Sequence, residues 1–411
     1  MQEAATMGTA IDTPPRKPAP SSAIDLYGDA ALLDPYPVYR TLRDLGAAVY
    51  LHKIDAYFIG RFRDVRAALN DWRTFSSDKG IGLNPVINAA WDEALICQDP
   101  PVHIERRKLI TGVLSPAALK PVEATIGSRA EDLARRIAAA GTFDGVADFA
   151  HDMPINIVMD LIGWPRDVRP GLLRIAEGAW NAAGPAGPRT DAGLATLHQM
   201  MALIAEIYDA NRLDPGGFAA GLVEASHRGE ISREAAIGML AGYIVAAFET
   251  TISAMASGLW LFAANPGEWE KLRANSRLAI GAANEIVRLE CPLQKFARIA
   301  TRDAVLSDGT MIPAGARVIV CYASANRDER AFADPDAFRI DRPEKQQLGF
   351  GHGPHGCAGQ GLARMELTAA FAALARHVER LEPAGPAERI INNVAHGFAR
   401  LPMRATGAGR A

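Results

Sequence analysis

Apolar residues recur along most of this chain at three- and four-residue spacing, the period of helices that bury one face. Residues 64–70 and 103–114 show it, and it dominates residues 115–265, which are rich in Ala and Leu and broken at residues 184–188 and 214–217. The longest run spans residues 232–264. Ser232 suits an N-cap and Glu234 a first turn, and Asn265-Pro266-Gly267 ends the run. At 1.5 Å per residue such a helix is roughly 50 Å long. Residues 34–43 read as a turn entering a short helix, and further helices are expected at 277–289 and 360–378. Strand-like runs occupy 48–51 and 56–59, and short strands follow residue 289, with turns at Asp308-Gly309 and around Gly315. A Pro- and Asp-rich meander covers 326–343. Residues 75–100 have no period and many turn formers, which predicts a long loop, and loops of that length are usually functional. No internal repeat or mid-chain linker interrupts the pattern. It predicts one mainly α domain with a minor β portion over residues 23–411, after a disordered lead-in of residues 1–22.

Composition narrows the function classes. Of 411 residues 49% are hydrophobic and 22% charged, ordinary values for a protein with a large core. A net charge of −3 lacks the basic excess of nucleic-acid binders. The four cysteines, Cys97, Cys291, Cys321 and Cys357, form neither a disulfide framework nor a CxxC pair, so a reducing cytoplasm is the expected compartment. Residues 1–22 lack the apolar core of a signal peptide. The apolar stretch 235–264 is long enough to span a bilayer, which takes about 20 residues. Glu249, followed by Thr250 and Thr251, interrupts it, and an acid at bilayer depth is costly. A buried central helix and no membrane partner are expected.

Residues 350–359, Phe350-Gly-His-Gly-Pro-His-Gly-Cys-Ala-Gly359, point to chemistry. A cysteine in such a loop can be an inert buried thiol. Here Gly351, Gly353, Gly356 and Gly359 permit positive φ and close approach to a flat ligand. The next helix would offer its first N–H groups to a thiolate, and His355 can donate to an anionic group. The stretch matches F-G-x-G-x-H-x-C-x-G at every fixed position, and in this the chain resembles the bacterial cytochromes P450. The resemblance implies a single large triangular domain with a long central helix over haem b. It implies Cys357 as axial iron ligand, with Phe350 and Gly351 against the group and His355 at a propionate. Thiolate ligation pushes electron density onto iron and favours O–O cleavage.

Other segments fall into the same family order. Glu285-Ile-Val-Arg288 looks like the E-x-x-R helix, whose i, i+3 spacing lets the two side chains pair. By resemblance Arg342 completes a structural triad with them, while Arg339 stands where the family more often has an acid. Asp99-Pro-Pro-Val-His103 with Arg107, and Arg298 in Phe296-Ala-Arg-Ile-Ala300, resemble the family's propionate contacts. Residues 246–251, Ala-Ala-Phe-Glu-Thr-Thr, are similar to its oxygen-handling motif, which implies that Thr250 holds O₂ and an ordered water and that Glu249 relays protons. The alternative is an acid and threonines bonded back to their own helix. Ala247 replaces the usual Gly, and Glu249 the commoner Asp.

Family position places the substrate near residues 80–97, Trp180, Ile244, Val245, Phe248, Phe296, Ala297 and Val394. These positions are mostly apolar or small, suiting a compact hydrophobic molecule. Residues 77–83, 180–185, 213–218 and 391–394 resemble members that oxidise para-substituted benzoates. Lys79 is the one charged candidate near the entrance loop, and Ala241 and Gly242 stand where polar residues are expected, so an uncharged aromatic or a terpenoid stays open. The expected reaction is hydroxylation or oxidative O-demethylation with O₂, with electrons from a separate ferredoxin or flavodoxin-type donor docking at Arg106, Lys108 and Arg364. An H₂O₂-dependent peroxygenase and a non-catalytic haem carrier or sensor are the alternatives. The Glu249–Thr250 pair favours O₂ activation.

Overall fold

The long apolar run forms two helices, Arg233–Ala247 and Glu249–Ala264, that meet at Phe248 in a computed structural model describing residues 15–343 and 346–408. Ser232 caps the first, its hydroxyl accepting the Ala235 N–H at 3.0 Å. The bend has a local cause. Thr250 Oγ1 donates to Ala246 O at 2.6 Å, taking up a carbonyl that an unbroken helix uses for its own ladder. The single straight helix expected over this stretch is thereby corrected to a bent one. The span is long and apolar enough to cross a membrane, yet 78% of its apolar stretch is buried inside the protein, as in a core helix.

Three helices pack together here: Glu123–Ala140 lies along Gln360–His377, which with Ala279–Glu290 packs against the Glu249–Ala264 half of the central helix. In the first, Ile126, Ala130, Leu133, Ala134 and Ile137 are buried at the spacing of a single helical face. A six-stranded sheet lies apart from them, in the order Ser21–Ser22, Ala48–Leu51, Ala56–Ile59, Arg317–Cys321, Lys295–Ala300, Phe75–Ser76. Arg317–Cys321 pairs parallel with Ala56–Ile59 and antiparallel with Lys295–Ala300. Side chains alternate along Lys295–Ala300, so Phe296 and Arg298 share one face and Ala297 the other.

Two expectations change. The lead-in expected to be disordered through residue 22 is ordered from residue 15: Lys17–Pro18 pairs with Thr310–Ile312 and Ser21–Ser22 with Ala48–Leu51. Backbone bonds, such as Lys17 N–H to Gly309 O at 3.0 Å, hold it whatever its side chains are. Residues 1–14 lie outside the described residues. The long loop at 75–100 contains strand Phe75–Ser76, helix Pro85–Ala90 and a tight turn at Leu95–Cys97. Asn84 starts that helix by accepting the Ile87 N–H at 3.0 Å, and its amide donates to Ala182 O and Gly184 O at 2.8 and 2.9 Å.

The meander is anchored by charge. Glu285 accepts from Arg288 at 2.7 and 2.8 Å and from Arg342 at 2.9 Å, all three residues buried. The remaining guanidinium N–H groups go to backbone: Arg288 to Asn326 O, Pro335 O and Ala337 O, Arg342 to Ala333 O, Asp334 O and Ala337 O. Arg339 finds an acid after all, donating to Asp334 at 2.5 Å.

Candidate active site

Cys357 sits where the meander ends and the Gln360–His377 helix begins. Its N–H donates to Phe350 O at 2.7 Å and closes the loop. Gly351 and Gly353 take φ of 69° and 67°. A Cβ on Gly353 would lie 2.4 Å from Leu69 O, so only glycine fits there. Burial pushes the Cys357 thiol up, while the Gly359 N–H and the Arg107 and Arg364 guanidiniums pull it down. The Arg364 guanidinium lies 4.5 Å from the centre of the Phe350 ring.

The thiol opens onto a mostly apolar cavity of about 340 Å³. Of the residues singled out from sequence, Cys357, His355, Phe350, Gly351, His103, Arg107, Arg298, Thr250, Trp180 and Val245 all line it. Glu249 lies behind that wall, 5% exposed. Four expected substrate contacts are corrected. Ile244 and Phe248, one helical turn apart, lie on the face opposite Gly238, Gly242 and Val245. Ala297 points away from the face of Phe296 and Arg298, and Val394, whose carbonyl accepts the Gln294 N–H at 2.9 Å, is buried outside the lining. Lys79 is 73% exposed and pairs with Asp78 at 3.5 Å, away from the cavity.

The cysteine end of the cavity gathers basic groups without an acid to match. The His103 and His355 rings lie 4.2 Å apart between centroids. Arg107 donates to Gly356 O and Arg298 to Ala297 O. Burial, reinforced by Arg107, lowers His103 to about 4. Burial, with Arg298, His103 and Arg107, lowers His355 to about 2. Neither ring nitrogen of His103 has a hydrogen-bond partner, although the residue is 1% exposed. Asp99 favours the charged form of His103 through space but gives its ring no hydrogen bond, accepting instead from Ser76 Oγ at 2.5 Å and from the Ser77 N–H at 3.0 Å.

Several lining residues were not read from the sequence, Met239, Tyr243 and Glu366 among them. A signal existed for two. Tyr243 lies seven residues before Thr250, two helical turns along the same stripe. Glu366 occupies an i, i+4 position between Leu362 and Ala370, on the buried face of its helix. Burial raises its carboxyl to about 8, and neither oxygen has a hydrogen-bond partner. The three cations expected to meet an electron donor, Arg106, Lys108 and Arg364, sit in different settings. Arg106 is tied to Glu93 at 2.5 Å and Arg364 to Asn284 and Gln360 at 2.8 Å, leaving Lys108 exposed beside Glu105.

The cytochrome P450 family model matches residues 198–404. Cytochrome P450 CYP199A2 of Rhodopseudomonas palustris is 37% identical over 95% of each chain. Linalool 8-monooxygenase of Pseudomonas putida is 31% identical over 80% of this chain and 81% of its own. Among solved structures, CalO2 superposes with a TM-score of 0.81 at 27% identity, covering 94% of this chain and 100% of its own. CYP164A2 of Mycobacterium smegmatis gives 0.83 at 26% identity, with 92% and 98% covered.

Proposed function

The chain belongs to the cytochrome P450 family and is a haem-thiolate monooxygenase, and on that premise we propose that it hydroxylates or O-demethylates a small hydrophobic aromatic or terpenoid. One observation carries the reading. Cys357, on its glycine loop, shares an apolar cavity with Thr250 at the bend of the central helix. Linalool 8-monooxygenase, by its name an oxidiser of a terpenoid, supports that arm of the substrate class.

Haem b is the family's cofactor, and the residues present fit it. Cys357 would hold the iron. Arg107, Arg298, His103 and His355 would receive the two carboxylates, giving the solitary nitrogens of His103 their acceptors. When bound, the haem supplies reductive activation of O₂. The protein's part is to deliver protons and keep bulk water out. Thr250 gives its own hydroxyl proton to Ala246 O, so the lone pairs of Oγ1 are left to accept from a water held in the cavity. Glu249 moves protons toward that water from behind the wall. The apolar lining lets a hydrophobic substrate displace the remaining solvent.

Electrons come from a separate ferredoxin or flavodoxin-type protein in this reading. Arg63 and Arg66 are exposed on the Phe62–Asn70 helix, whose end touches the cysteine loop at Gly353, and Lys108 is exposed one residue after Arg107. Such cations favour an acidic partner.

The reduced protein under CO tests the ligation. The expected result is the red-shifted Soret band of a thiolate-bound haem. A Cys357→Ser protein that retains that band would overturn the assignment.

A further inference from the structure

The lining of the cavity is chemically lopsided. Its two arginines and two histidines gather around the cysteine loop, and its one acid is Glu366. Elsewhere the wall is mostly aliphatic and aromatic. Trp91 meets Trp180 edge-on at 5.7 Å, Trp180 meets Phe296 at 5.2 Å, and Phe296 meets Tyr322 at 6.0 Å between ring centres. Two polar side-chain atoms of this wall stand out from its threonine and Tyr322 hydroxyls. Trp180 Nε1 and Tyr243 Oη are buried, and neither has a hydrogen-bond partner. Tyr243 lies seven residues before Thr250, roughly 10 Å along the helix and away from the reacting end.

Buried donors are nearly always satisfied, so an unsatisfied pair in a ligand cavity marks where a ligand atom belongs. Both groups can donate; an indole N–H can only donate. The missing partner is therefore an acceptor. It is also uncharged, because no cation lines the cavity apart from the arginines and histidines of the cysteine end. A carboxylate placed beside Trp180 and Tyr243 would be a buried anion without a counter-charge, which is costly. Ala241 and Gly242, both in the lining, offer no side-chain polar group to hold one.

We propose that the substrate is a neutral, largely apolar molecule with a carbonyl or ether oxygen remote from the oxidised carbon, and that Tyr243 Oη and Trp180 Nε1 receive that oxygen. This rests on the monooxygenase reading of the same cavity and adds the chemical class of the substrate to it. Tyr243 and Trp180 are positioning residues. They fix which carbon faces the reacting end without touching it.

Three ligands of one shape test this on the full-length, haem-loaded protein: 4′-ethylacetophenone, 1-ethyl-4-isopropylbenzene and 4-ethylbenzoate. Binding is read from the Soret shift. The ketone and the hydrocarbon differ in the acceptor and scarcely in shape. The ratio of their dissociation constants therefore cancels any loss of packing caused by a substitution. In Tyr243→Phe, and again in Trp180→Phe, that ratio should move against the ketone by about 2- to 12-fold, the worth of one neutral hydrogen bond. The benzoate should bind more weakly than the ketone. The inference is overturned if the Tyr243→Phe/Trp180→Phe double variant keeps the wild-type ratio, if the benzoate binds more tightly, or if the ketone does not bind up to its solubility limit. A protein that shows the thiolate band under CO but fails these ligand tests separates this inference from the monooxygenase reading, which would stand.

Discussion

Two buried polar clusters flank the cysteine loop, and they are built on opposite principles. Behind the loop, Glu285, Arg288 and Arg342 form a closed set, with each guanidinium edge directed at a carboxylate or a backbone carbonyl. In the cavity, His103, Arg107, Arg298 and His355 face one another with no carboxylate among them, and neither ring nitrogen of His103 has a hydrogen-bond partner. The first cluster is complete as the chain folds. The second is complete only with an anionic guest. A satisfied buried network holds a fold in one arrangement, whereas a half-satisfied one is a standing cost that persists where a ligand removes it.

The largest effect that separates them is on stability. Arg288→Ala leaves Glu285 with one of its two cations and should cost about 3–5 kcal/mol, the scale for breaking a buried pair. Denaturation of the haem-loaded protein measures it. A loss under 1 kcal/mol would mean the triad is not the closed unit described.

Next in size are two changes that should touch chemistry and leave the triad's stability alone. Glu249→Gln should slow turnover about 10²-fold, as expected for loss of a proton-transfer group. Thr250→Ala should keep its haem and release more of its electrons as H₂O₂. Coupling of electron flow to product, unchanged in both, would return these residues to helix packing.

His103→Leu sharpens the contrast because its sign depends on the guest. Haem retention, read by transfer to an acceptor protein, should weaken by about 1.5–3 kcal/mol, the range for a hydrogen bond to a charged group. The haem-free protein should be no less stable than wild type, since a solitary imidazole is exchanged for an apolar side chain. Equal losses in both states would place His103 with the triad.

The smallest effect concerns Glu366. Its folded-state carboxyl is raised to about 8, so the folded protein holds a proton that the unfolded chain releases above the ordinary carboxylate range. Its contribution to stability is full at acid pH and is lost as pH rises toward 8. Glu366→Gln should therefore flatten the thermal midpoint between pH 5 and 8 by a few degrees, mostly by raising it at the alkaline end. A wild-type midpoint already flat over that range would contradict the buried neutral acid.

Much of this site is legible in the chain because its chemistry is local. Residues 350–359 carry the thiol, the glycines and the histidine within a few turns of backbone, and the i, i+3 and i, i+4 pairs Glu285–Arg288 and His103–Arg107 need only helical spacing. The strands at 48–51 and 56–59 emerged with the bounds observed for the same reason. What sequence alone does not convey depends on long-range pairing or on phase. Lys17–Pro18 is ordered by a partner some 290 residues away, which no local pattern announces. Ile244 and Phe248, placed at the substrate by family position, lie on the opposite face, and an apolar helix buried all round has no polar face from which to read its rotation. The bend at Phe248 comes from one hydroxyl choosing a carbonyl, a choice open to any helical threonine.

Phe296 and Arg298 project from the same face of one edge-to-edge strand, the first into the aromatic wall and the second toward the basic end. The strand is a shared beam between guest and prosthetic group. Its neighbours, Arg317–Cys321 on one side and Phe75–Ser76 on the other, leave it little freedom to move one residue without the other. Enlarging the pocket at Phe296 to admit a bulkier guest will therefore register in how firmly the haem is seated, and selection for new substrates along this strand will meet a limit set by cofactor loss before it meets one set by space.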